Sequence, residues 1–135
     1  MILRKLRVVT LQTPPWPGVG LYSITKGLGA EICRIYSENF EIAHMMCIFG
    51  GVNNALAPEK GAAPTGVSDM TTTMRDCGNL LRCCVLADLS RLPSRHEVFF
   101  GKAPSPSDVH RSGKAQDLLG YKPMDTLAEF FRPSL

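Results

Sequence analysis

Residues 22–52 read YSITKGLGAEICRIYSENF followed by EIAHMMCIFGGV, and the change of pattern between these two segments decides the fold. In the first, Ile24, Leu28, Ile32, Ile35 and Tyr36 recur at three- and four-residue spacing as far as Phe40, the periodicity of an amphipathic helix. Gly27 and Gly29 interrupt it at about 1 kcal/mol each. Such small residues either admit a neighbouring element at close range or are simply tolerated. The second segment, Glu41 to Gly51, is an almost continuous apolar run closed by a glycine pair. Its length suits a strand buried on both faces, as parallel strands are. A helix running straight into a buried strand is a piece of an α/β fold.

Working outward, TPPWPGVG at residues 13–20 loses backbone donors at its prolines and reads as a loop that delivers the chain to the helix. Residues 53–69 (NNALAPEKGAAPTGVSD) are rich in Gly, Ala and Pro and predict a second loop. From Met70 to Leu89 the apolar residues Met74, Cys77, Leu81, Cys84, Val85 and Leu89 predict a helix, capped by Asp69 or a neighbouring threonine. HEVFFG at 96–101 predicts a strand and KAPSPSD a loop. Val109 to Leu119 predicts a helix that Gly120 terminates, and Thr126 to Phe131 a last short helix. The chain contains no internal repeat.

Composition narrows the function classes. The 135 residues are 44% hydrophobic and 20% charged with a net charge of +3, which fits one globular domain with a core and excludes a disordered chain. The longest apolar stretch, Ile42 to Val52, contains His44 and falls far short of the about 20 residues a membrane span requires. The start MILRKLRVVT has no apolar run behind its basic residues, so it does not read as a secretory signal and a cytoplasmic location is expected. The cluster Arg4, Lys5 and Arg7 is too short to point to nucleic acid. Five cysteines, Cys33, Cys47, Cys77, Cys83 and Cys84, are an odd number without a C-x-x-C pair, so free, mostly buried thiols are expected rather than a disulfide framework or zinc site.

Chemistry concentrates at the start of the first helix. Tyr22 and Lys26 are four apart and project from one helix face. An ammonium beside a phenol stabilises the phenolate, so the tyrosine can exchange a proton nearer neutrality than its free value of about 10 permits. Alone, this Y-x-x-x-K spacing is a weak signal, because most chance matches to it are solvated helix faces. Other candidates read as structural. His44 is a hydrogen-bonded core histidine, Met45, Met46 and Cys47 fill the core, Trp16 packs, and Asp76 caps or pairs locally.

The surroundings add specificity. The segment PWPGVGLYSITKGLGAEICRIYSE, residues 15–38, resembles the catalytic-helix region of the extended short-chain dehydrogenase/reductases, the NAD-dependent epimerase/dehydratase family. Residues 41–52 resemble that family's next parallel strand, and residues 73–89 (TMRDCGNLLRCCVLADL) its following helix, with Asp76 at the acidic position. HEVFFG is similar to the strand after it, and residues 107–127 (SDVHRSGKAQDLLGYKPMDTL) to the closing pattern of a helix ending in L-G-Y/F-x-P. The matches run in family order over about residues 10–131.

The resemblance implies a partial Rossmann-type parallel sheet with flanking helices. It implies hydride transfer between NAD or NADP and a sugar or other alcohol, with Tyr22 as acid/base and Lys26 both lowering its pKa and binding the nicotinamide ribose. The glycine-rich turn that holds a dinucleotide pyrophosphate at a helix N-terminus is absent from these residues: Gly18-Val-Gly20 and Gly27-Leu-Gly29 both fail its spacing and context. Ile48 stands where many members carry an arginine. The 135 residues therefore read as a single incomplete domain, the C-terminal half of such an enzyme, truncated and inactive alone. The alternatives are a non-catalytic module that pairs with a full-length relative through the helix following Tyr22, where the family's dimer interface commonly forms, or an unrelated small α/β domain with Tyr22 and Lys26 on its surface.

Overall fold

The computed structural model describes residues 20–53, 70–104 and 113–127. Within them the order is α1 (Leu21–Asn39), β1 (His44–Ile48), β2 (Gly51–Asn53), β3 (Thr71–Thr73), α2 (Met74–Val85), a 3-10 turn (Leu89–Arg91), β4 (His96–Phe100) and α3 (Gly113–Leu119). The strands form two parallel pairs, β1 with β4 and β2 with β3. His44 lies opposite His96 and Ile48 opposite Phe100, while Gly51 lies opposite Thr71. Parallel strands with helices packed against them make this the α/β architecture expected from residues 22–52.

The residues after β4 join the two pairs. Gly101 donates its N–H to the Ile48 carbonyl (2.9 Å) and Ala103 donates to the Thr71 carbonyl (2.9 Å). Gly101 has no room for a side chain, because a Cβ there would overlap the Phe49 ring and press on Leu80. The core of buried residues is Leu80 and Cys84 of α2, Phe99 of β4, Ala115 of α3 and Tyr121, with Met45 and Cys47 of β1 packed against it. Side chains alternate across a strand, so β1 turns Met45 and Cys47 toward α2 and His44 toward α1.

Several boundaries differ from the sequence reading. The second helix begins at Met74, because Thr71–Thr73 forms a buried strand instead of a first helical turn. Thr73 is its N-cap, accepting from the Asp76 N–H at 3.1 Å, so the capping threonine and not Asp69 was the right choice. The single run 41–51 resolves into β1 and the start of β2, and Asn53 belongs to β2 rather than to a loop. Gly120 ends α3 as expected: its φ is 64°, and the N–H groups of Gly120 and Tyr121 return to the carbonyls of Gln116 and Ala115. Thr126 and Leu127 are not helical. The rest of that expected helix, the loop at 54–69, residues 109–112 and the Pro-rich segment with Trp16 lie outside the described residues.

Candidate functional site

Tyr22 and Lys26 occupy the first turns of α1, and the Lys26 Nζ sits over the Tyr22 ring, 5.5 Å from its centroid. The pair meets as the four-residue spacing requires, with the cation over the ring face. Tyr22 is 74% exposed, so its phenol opens to solvent. No side chain caps Gly20, but the Thr25 hydroxyl donates to the Tyr22 carbonyl (2.9 Å) and the Ile24 N–H closes the first turn on the Gly20 carbonyl (3.0 Å).

The other end of α1 fixes where this pair lies. Ser37, the buried residue of α1, shares a 2.8 Å hydrogen bond with His44 Nδ1 at the first position of β1. A helix joined by the short link 40–43 to a strand it packs against runs antiparallel to that strand. From Ser37 back to Tyr22 the helix rises about 22 Å, whereas β1 from His44 to Ile48 covers about 13 Å. Tyr22 therefore lies beyond the carboxyl ends of β1 and β4, the side on which open α/β sheets bind their ligands.

Beneath α1, His96 stands beside His44. Burial, then the nearby His44 and Arg34, lower its pKa from the ordinary histidine value, with Glu97 and Glu31 opposing. Its Nε2 is buried without a hydrogen-bond partner. Arg34 bridges Glu31 (2.5 Å) and Glu38 along the exposed helix face. On the next position of β4, Glu97 is buried and held by Lys114 Nζ at 2.5 Å and by the Ser94 N–H at 2.8 Å. Burial opposes its ionisation, but Lys114 and Ser94 outweigh that and keep its carboxyl below the usual range.

Asp76 does more than cap locally. Fully buried, it accepts the backbone N–H groups of Met124 (2.7 Å) and Asp125 (3.2 Å), tying the start of α2 to the segment after α3. Asp125 in turn accepts from the Thr73 hydroxyl (2.6 Å) and pairs with Arg75. The sequence reading missed this network; its local half was signalled by a threonine three residues before an acid at a helix start, and its long-range half by nothing. Ile48, in the arginine position of the resemblance, is partly exposed at the end of β1.

A cavity of about 320 Å³ lies between Glu41, Ala43, Leu89, Leu92 and Ser94–Arg95, at the amino ends of β1 and β4. It is at the opposite end of the strands from Tyr22. Among the described residues no group of three His, Cys, Asp or Glu side chains is placed to hold a metal ion, and no helix is long and apolar enough to cross a membrane. A glycine-rich cradle for a dinucleotide pyrophosphate does not occur in the sequence.

With this geometry in hand, comparison with known proteins gives one informative likeness. The chain is 29% identical over 113 residues to the NAD-dependent glucose-6-phosphate dehydrogenase of Haloferax volcanii. It is similar to an NAD-dependent oxidoreductase. The match takes in 82% of this chain but 39% of that protein, so the chain spans about two fifths of the relative's length. No family model matches the chain, and no solved structure matches it.

Proposed function

We propose that this chain is the acid/base-bearing half of an NAD-dependent oxidoreductase of the extended short-chain type. The observation that carries the reading is the Tyr22–Lys26 pair, stacked at the exposed start of α1 and beyond the carboxyl ends of the parallel strands. The likeness to an NAD-dependent dehydrogenase over most of the chain supports it.

In this reading Tyr22 gives or takes the proton of a substrate alcohol or carbonyl, so that charge does not build up on the substrate oxygen. Lys26, over the Tyr22 ring, donates hydrogen bonds to ribose hydroxyls. Bound NAD supplies the hydride acceptor or donor. The substrate class is a sugar or related alcohol, and the relative's name makes a phosphorylated aldose the first to try. Because no glycine turn is present, the chain alone neither binds the dinucleotide nor turns over.

A calorimetric titration with NADH, with Trp16 fluorescence as a second signal, tests this division of labour. The isolated chain is expected to show no saturable binding. A chimera in which this chain replaces the matched segment of the haloarchaeal relative is expected to bind. Micromolar binding by the isolated chain contradicts the half-site reading.

A second reading is favoured by a different observation. Along α1, Leu21, Leu28, Ile32, Ile35 and Tyr36 are all exposed. A helix with so much uncovered apolar surface suits a module that pairs through α1 with a second copy or a full-length relative, whether or not it catalyses.

A further inference from the structure

The thiols of Cys47 on β1 and Cys84 on α2 approach to 3.6 Å, sulfur to sulfur, across the contact between the core helix and the sheet. Neither belongs to the Tyr22 site. We propose that Cys47 and Cys84 are an oxidation site: a small peroxide converts the pair to a disulfide that staples α2 to β1.

Geometry favours this pair over any other among the five cysteines. A disulfide holds its sulfurs about 2.05 Å apart, so closure needs a shift of about 1.5 Å, within the reach of a rotation about one side-chain bond. Cys83 is adjacent to Cys84 on α2, and successive helical residues point in different directions. Cys77 shares the Cys84 face but lies two turns earlier. Cys33 is on α1, the helix that meets the sheet from the side of His44. All five are free thiols in the structure.

The chemistry is a two-electron oxidation. The Cys84 thiolate attacks one oxygen of hydrogen peroxide; an S–O bond forms, the O–O bond breaks and hydroxide leaves, taking up a proton as water. The Cys47 thiol, giving up its proton, then attacks the Cys84 sulfur, forms the S–S bond and expels the sulfenic oxygen as a second water. Two thiols are oxidised and one peroxide is reduced. Burial raises the pKa of both thiols, that of Cys47 to about 12, while the hydrogen bond between them favours the Cys84 thiolate, which assigns Cys84 the first step. Cys84 is only 6% exposed, which bars a bulky disulfide such as oxidised glutathione and leaves a small peroxide as the oxidant.

The test is peptide mapping of the natively folded chain after exposure to hydrogen peroxide, with remaining thiols alkylated after unfolding. The expected result is loss of two of the five alkylatable thiols and recovery of a Cys47–Cys84 cross-linked peptide that dithiothreitol releases. C83S is expected to form the same bridge, and C84S to form none. A bridge that uses Cys33, Cys77 or Cys83 in the unmutated chain overturns the proposal, as does full retention of all five thiols at peroxide levels that oxidise its methionines. The map of the unmutated chain decides the matter even if C84S fails to fold.

Discussion

Both oxygens of Asp76 are occupied by backbone N–H groups from residues 124 and 125, far along the chain. Removing that carboxylate leaves two buried donors without an acceptor. Hydrogen bonds to charged groups contribute about 1.5–3 kcal/mol each, so D76A is expected to lose at least about 2 kcal/mol in urea unfolding, with D76N losing less because its single carbonyl still serves one donor. A D76A variant as stable as the parent would contradict the clamp. Gly120, at φ 64°, makes a smaller prediction of the same kind. G120A forces a side chain into the left-handed region and is expected to lower stability by about 1 kcal/mol. Residue chemistry was only half legible in the sequence. The stop at Gly120 and the threonine cap before Asp76 are local patterns, whereas the partners of Asp76 arrive through a chain reversal that no local window contains.

At the scale of elements, the contact between α1 and the paired strands is partly polar and therefore sensitive to pH. His96 has a folded-state pKa below its ordinary value, caused first by burial and then by His44 and Arg34. As pH falls, the unfolded chain takes up this proton before the folded one does. Stability from the neutral ring is therefore complete above about pH 6.5 and is lost as pH drops through and below that value. The charged groups that act on His96 are His44 on β1 and Arg34 and Glu31 on α1, with Glu97 next to it on its own strand but turned to the other face. Glu97, with a lowered pKa, loses its contribution only at more acidic pH. Thermal midpoints measured from pH 7.5 to 5.5 are expected to fall, and H96Q to flatten that slope; a parent midpoint independent of pH in this window would contradict the assignment. The long helix was readable because its apolar period persists over many residues, and β1 because it lies in a nearly continuous apolar run. The pairing of β2 with β3 was not, since three residues are too few to display a period and a run of threonines signals a strand no better than a helix start.

For the whole molecule, the buried core sits between α2, α3 and the sheet, and α1 covers the other face with an apolar side still exposed. Contiguous apolar surface of this kind drives association. Light scattering on the purified chain is expected to give a mass above the 14.8 kDa of one copy, and I32K with L28K to restore a single copy without loss of helix content. A monomer at all concentrations would contradict pairing through α1. The α/β class was legible because one helix followed by one buried strand suffices to define it. The position of Tyr22 beyond the strand ends was not, because it depends on the length of α1 relative to β1. The central claim, that this chain supplies the proton-transfer half of an NAD-dependent oxidoreductase, is tested most directly by turnover in the chimera with the haloarchaeal relative. NADH formation from glucose-6-phosphate is the signal, and the chimera is compared with its Y22F form. Positioned acid/base groups contribute about 10²- to 10⁴-fold, so Y22F is expected to lower kcat at least about 100-fold while NADH binding is retained. An unchanged kcat in Y22F, or a folded, NADH-binding chimera that forms no NADH, would contradict it.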